Sequence, residues 1–157
     1  MMENILIVDD EESILEIMAE TMTRWGYNPI TANSSEDAIA KASTTPIDLL
    51  LTDFRLPAKN GIDLIKDIKT VDPATKAIMF TGYAGVDSAV DAFKAGVSDY
   101  LVKPVDLAEL HQKIEKELKE KRASGSFRTL KSLNWGMLIS VPIWLLLGLW
   151  IAHVLSN

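Results

Sequence analysis

The chain of 157 residues contains no cysteine. Disulfides, thiolate metal centres and thiol nucleophiles are thereby excluded. Its two histidines, His111 and His153, lie far apart in unlike surroundings, which argues against a histidine-based metal site or a Ser-His-Asp relay. Acid is missing altogether beyond residue 121. Residues 122–157 carry Arg122, Arg128 and Lys131 with no Asp or Glu, a net of +3, whereas residues 1–121 set 13 bases against 22 acids, a net of −9. The acidic part does not suit nucleic acid, so no nucleic-acid partner is expected. The basic, apolar tail points to a membrane instead. No secretory signal is expected, because Met1-Met2-Glu3-Asn4 leads directly into an apolar run.

Charge is also missing from the 21 residues 135–155, Trp135 to Leu155. As a helix this segment is about 31 Å long, which matches the hydrocarbon core of a bilayer. It is apolar all round and lacks the polar side that a helix packed on a soluble domain needs. Trp135 and Trp150 sit toward its ends, and Pro142 and Gly148 are tolerated in lipid. The expectation is a polar, basic linker over 122–134 and a single membrane-spanning helix over 135–155. Because Arg122, Arg128 and Lys131 precede the segment, the N-terminal part is expected on the cytoplasmic face of the inner membrane.

Residues 1–121 are long enough for one domain with a core of its own. Ile5-Leu6-Ile7-Val8 predicts a buried strand that runs into Asp9-Asp10-Glu11-Glu12. From Ser13 the apolar residues recur at helical spacing until Gly26 stops them. A weaker strand follows over 28–32, then a helix capped by Ser34 or Ser35 that ends before Pro46. Ile47 to Asp53 is the third strand, apolar at 47 and 49–51 and bounded by Pro46 and Pro57. Gly61 opens a helix that stops before Asp72-Pro73. A fourth strand spans 77–81, a short helix Val86 to Phe93, a fifth strand 99–102 and a charged final helix 107–121. Five alternations of strand and helix predict a parallel, doubly wound five-stranded α/β sheet with five helices covering both faces.

Strand ends of such a sheet share one edge, and that edge hosts the chemistry. Here it collects Asp9 and Asp10, Asp53, Thr81 and Lys103. Each has a plain role taken singly: a solvated acidic turn, a cap, a strand-end hydroxyl, a surface lysine. Together they form a hard-oxygen set that suits Mg²⁺ (or Mn²⁺), since crowded carboxylates repel unless a cation sits among them. With that charge neutralised, Asp53 can act as an oxygen nucleophile toward a phosphoryl donor. Thr81 and Lys103 could then help to hold the phosphoryl oxygens.

Ile7-Val8-Asp9-Asp10, Leu51-Thr52-Asp53 with Pro57 and Gly61, Phe80-Thr81-Gly82 and Asp99-Tyr100-Leu101-Val102-Lys103-Pro104 together resemble the response-regulator receiver domain of two-component signalling. The resemblance covers residues 3–121. It implies a flavodoxin-like sheet with Asp53 as phosphoacceptor, Asp10 as a direct metal ligand and Asp9 acting through a water. The Arg55 main-chain carbonyl would complete the protein ligands. Thr81 would be the switch hydroxyl, Tyr100 the aromatic that rotates with it, and Lys103 the cation on the phosphoryl group. Pro104 often follows a cis bond in such domains. A histidine kinase or phosphotransfer protein would supply phosphate, and a downstream protein, or a second copy of the chain, would read the state. Arg55 and Tyr83 would flank the path of attacking water and slow hydrolysis, or else simply lie over the surface. The implied protein is a phosphoacceptor, not an enzyme with a separate substrate. A constitutive membrane-anchored docking scaffold is the alternative, and a phosphatase with an aspartyl nucleophile ranks below both, since Asp9-Asp10-Glu11 is not an Asp-x-Asp motif.

Overall fold

The computed structural model describes residues 2–82 and 94–124. The chain divides into two units, Met1–Lys121 and Arg122–Asn157, and nearly every described residue belongs to the first. In order come β1 (Asn4–Val8), α1 (Glu12–Arg24), β2 (Asn28–Ala32), α2 (Ser35–Thr44), β3 (Leu49–Asp53), α3 (Gly61–Val71), β4 (Lys76–Thr81) and β5 (Asp99–Val102). A further helix occupies residues 107–124. The strands form one sheet in the order β2-β1-β3-β4-β5, and every pairing is parallel.

Four helices are seen among the described residues where five were expected; the short helix expected over Val86 to Phe93 lies outside them. So do the expected membrane segment 135–155 and all but the first three residues of the expected linker. Among the described residues no helix is long and apolar enough to cross a membrane.

The period-two alternation of the strands divides the core between the two sheet faces. Ile5, Ile7, Leu49, Leu51, Ile78, Phe80 and Leu101 join Leu15, Met18 and Met22 of α1 and Leu110, Ile114 and Leu118 of the 107–124 helix. Leu6, Val8, Leu50, Ala77 and Met79 face Ala38 and Ala42 of α2 and Leu64, Ile65 and Ile68 of α3. Both faces are dry, which is why the strands read as continuous apolar runs.

Helix ends follow local chemistry. Gly26, at φ 87°, closes α1. The Gly26 N–H donates to the Thr23 carbonyl and the Tyr27 N–H to the Met22 carbonyl, each at 3.0 Å, the paired bonds of a glycine-terminated helix. Ser34, not Ser35, caps α2 by accepting from the Asp37 N–H. Strand β3 begins at Leu49, two residues later than its apolar run suggests. Asp48 is occupied otherwise: its carboxylate accepts from the Asn4 N–H and from Lys121 Nζ, both at 2.9 Å.

Lys121 also donates to the Ile47 carbonyl at 3.1 Å, so the 107–124 helix is fastened to the sheet edge opposite the strand C-termini. A second fastening joins Lys76, at the start of β4, to Glu117 at 2.9 Å and Glu120 at 3.1 Å. The Glu117 side chain is only 2 % exposed. Burial works against the Lys76 ammonium, but its bonds to Glu117 and Glu120 outweigh this and hold its pKa above the ordinary lysine value. A raised lysine pKa contributes stability that is complete below the unfolded value and fades as pH climbs through the folded one. Lys76→Met is expected to cost about 2 kcal/mol by urea unfolding at neutral pH, since it strips a buried carboxylate of its main partner. The loss should shrink at strongly alkaline pH, where the wild-type ammonium is itself neutralised.

Candidate functional site

The two-residue period that builds the core also builds the site. Asp9, Asp53 and Lys103 each lie two residues beyond a core residue of the α1 face, namely Ile7, Leu51 and Leu101. They emerge at the same edge, on the same side of the sheet. Strand β3 lies between β1 and β4, with Ile7 paired to Leu51 and Asp53 to Phe80. Asp9 and Asp53 are thus close neighbours, and Lys103 reaches them across the end of β4.

Lys103 Nζ lies 2.6 Å from Asp53 Oδ2 and 3.2 Å from Asp9 Oδ2. The Asp9 side chain is 0 % exposed and that of Asp53 is 13 % exposed. The second oxygen of each carboxylate accepts a main-chain N–H: Asp9 Oδ1 from Glu11 at 2.9 Å and Asp53 Oδ1 from Arg55 at 3.2 Å. Burial opposes the Lys103 ammonium, yet its bond to Asp53 and the charge of Asp9 prevail and raise its pKa above the ordinary value. The lysine is therefore a fixed cation at neutral pH. The Lys103–Pro104 peptide bond is cis.

The other expected residues are placed as follows. Asp10 is exposed, because it falls on the opposite alternation from Asp9. Arg55 is exposed and contributes its N–H to Asp53. Tyr100 is half-buried against the α2–α3 face, and its N–H donates to Asp99 at 2.8 Å. The backbone of Thr81 ends β4 opposite Val102. Tyr83 lies outside the described residues.

Among the described residues no group of three acidic or histidine side chains lies close enough to hold a metal ion. Lys103 joins Asp9 and Asp53, and Asp10 is exposed beside them. The donors still fit a small hard cation. Two carboxylates against one ammonium leave a net negative charge at this edge, and Mg²⁺ needs only one or two carboxylates with the balance made up by water.

Two contributions were not recognised from sequence. Asn60 caps α3 by accepting from the Asp63 N–H at 2.9 Å; an Asn before the apolar run was the available signal. The following residue matters more. A Cβ on Gly61 would stand 2.1 Å from the Asp53 main-chain oxygen, and the Gly61 N–H donates to the Phe54 carbonyl at 2.9 Å. The loop leaving Asp53 is thus closed back onto it, with no room for a side chain.

Residues 5–115 match the family model of the response regulator receiver domain. The chain belongs to that family. Receiver domains are phosphoacceptors of two-component systems. Among curated relatives, the transcriptional regulatory protein ZraR of Salmonella typhimurium is 37 % identical over 140 residues, which is 88 % of this chain and 32 % of that protein. The chain thus spans about a third of that relative's length. A CheY-like receiver domain protein from Methanospirillum hungatei superposes with a TM-score of 0.76 at 32 % identity, covering 79 % of this chain and 99 % of the other. A response regulator from Burkholderia pseudomallei, solved with a phosphorylated aspartic acid and a calcium ion, gives 0.69 at 26 % identity, covering 80 % of this chain and 74 % of that one.

Gly61→Ala is expected to destabilise the receiver by about 1–3 kcal/mol in urea unfolding, the usual cost of forcing a methyl group into a filled space. Because the obstructing atom is the main chain of Asp53, the 53–55 amide resonances should shift more than those of the distant β1–β2 pairing.

Proposed function

We propose that this receiver accepts a phosphoryl group on Asp53 from a histidine kinase or phosphotransfer protein. The observation that carries the reading is Lys103 Nζ held 2.6 Å from Asp53 and 3.2 Å from the buried Asp9. An Asp53 oxygen attacks phosphorus, the bond from phosphorus to the donor histidine nitrogen breaks, and the imidazole leaves with a proton. Lys103, already charged and oriented, follows the negative charge from the carboxylate to the phosphoryl oxygens. Asp10, Asp53, the Arg55 main-chain carbonyl and Asp9 through a water would hold Mg²⁺ (or Mn²⁺). When bound, the ion withdraws negative charge from the phosphoryl oxygens. The Burkholderia relative, with its phosphorylated aspartic acid, supports the chemistry.

Thr81 and Tyr100 are the proposed relay to a partner-binding face, with the added dianion shifting a two-state equilibrium through its differential contacts. Arg55 and Tyr83 are proposed to shield the acyl phosphate from water. We further propose that 135–155 tethers the receiver to the cytoplasmic face of the inner membrane through the linker 122–134. This reading rests on the uncharged 21-residue run and the basic residues before it. Tethering raises the effective concentration of the receiver near a membrane-bound kinase or target.

With Mg²⁺ and a small-molecule phosphodonor, the full-length chain should gain one phosphoryl group by intact mass, and Asp53→Asn or a chelator should abolish the gain. Modification that persists in the Asp53→Asn variant would reject Asp53 as acceptor. In cell fractionation the full-length chain should sediment with membranes, and a chain ending at residue 121 should not. A wholly soluble full-length chain rules the tether out.

A further inference from the structure

Lys103 leaves β5, whereas its nearer carboxylate partner leaves β3, and β4 lies between them in the sheet. The lysine must cross the end of β4 to reach Asp53. Phe80 is the β4 residue at that crossing. It pairs with Asp53 on one side and with Leu101 on the other, and it belongs to the α1-face core from which Asp53 and Lys103 emerge. The ammonium is 5.0 Å from the centroid of the Phe80 ring. Phe80 is itself 1 % exposed, so packing holds its ring in place.

We propose that Phe80 is a positioning residue for phosphoryl acceptance, a π-platform that holds the Lys103 ammonium over the acceptor. This rests on the reading of Asp53 as phosphoacceptor. The two carboxylates attract the ammonium but do not confine it, because a lysine stem has four rotatable bonds and the site opens to water on one side. The negative face of an aromatic ring attracts the cation and occupies the space into which the stem could otherwise fold. An aliphatic residue at position 80 would keep the core apolar, though smaller than the ring, and offer the cation nothing. The ring matters most when Asp53 becomes an acyl phosphate, since the ammonium must then shift to the new oxygens without leaving the site.

The test uses the full chain in detergent, with Mg²⁺ and acetyl phosphate as donor. Phe80→Leu keeps an apolar core side chain and should slow Asp53 phosphorylation about fivefold, the factor corresponding to a partly desolvated cation–π contact. Phe80→Tyr retains the ring and should recover most of the rate. A Leu variant as fast as wild type, or a Tyr variant as slow as Leu, overturns the proposal. In the unmodified wild type, the Lys103 Hε protons should show an upfield ring-current shift in the NMR spectrum that vanishes in the Leu variant. An unshifted wild-type signal refutes the platform even if the Leu variant fails to fold. Failure of wild-type Asp53 to take up phosphate would instead strike the underlying reading, which the same mass measurement reports separately.

Discussion

One ammonium group shared between two carboxylates governs the functional edge of this molecule. Burying Asp9 completely and Asp53 nearly so is costly for charged groups, and each is compensated from two directions. Lys103 supplies the charge, and a main-chain N–H from the residue two positions further on satisfies the second oxygen. The compensation is incomplete by one unit of charge. The remaining negative charge, held on groups that are buried or nearly so, is of the sign that attracts a divalent cation.

The arrangement costs the fold little because the site is an extension of the core. Residues of one parity along β1, β3 and β5 pack against α1 and the 107–124 helix, and the next residue of that parity on each element is Asp9, Asp53 or Lys103. The same strands that bury their apolar side chains thus deliver the polar ones in register. A one-residue slip of β3 against β1 would turn Leu51 out of the α1-face core and carry Asp53 away from the lysine at once, so stability and function protect the same pairing.

The opposite edge of the sheet is built for anchorage. Lys121 grips the Ile47 and Asp48 carbonyls and the Asp48 carboxylate, while Lys76 holds Glu117 and Glu120. The 107–124 helix is therefore bound along its apolar stripe and again toward Lys121.

Alternation of apolar strands with amphipathic helices was enough to establish a parallel doubly wound sheet, and the strand-end residues marked its functional edge. Gly26 was legible as a stop because a left-handed residue there suits glycine alone. Other features depended on neighbours distant in sequence. Ile47-Asp48 reads as strand until Asn4 and Lys121 claim the aspartate. Asp9 and Asp10 are indistinguishable as a dipeptide; Asp9 continues the parity of Ile7 and is buried with Lys103 as its partner, whereas Asp10 is exposed. The glycine at 61 reads as a helix start, while its contact with the Asp53 carbonyl exists only once α3 folds back over β3. The chain by itself determined which chemical groups arrive at the edge, because period and punctuation are local properties. Tertiary structure decided their distances and partners, because strand order sets which residue each side chain must cross to meet another.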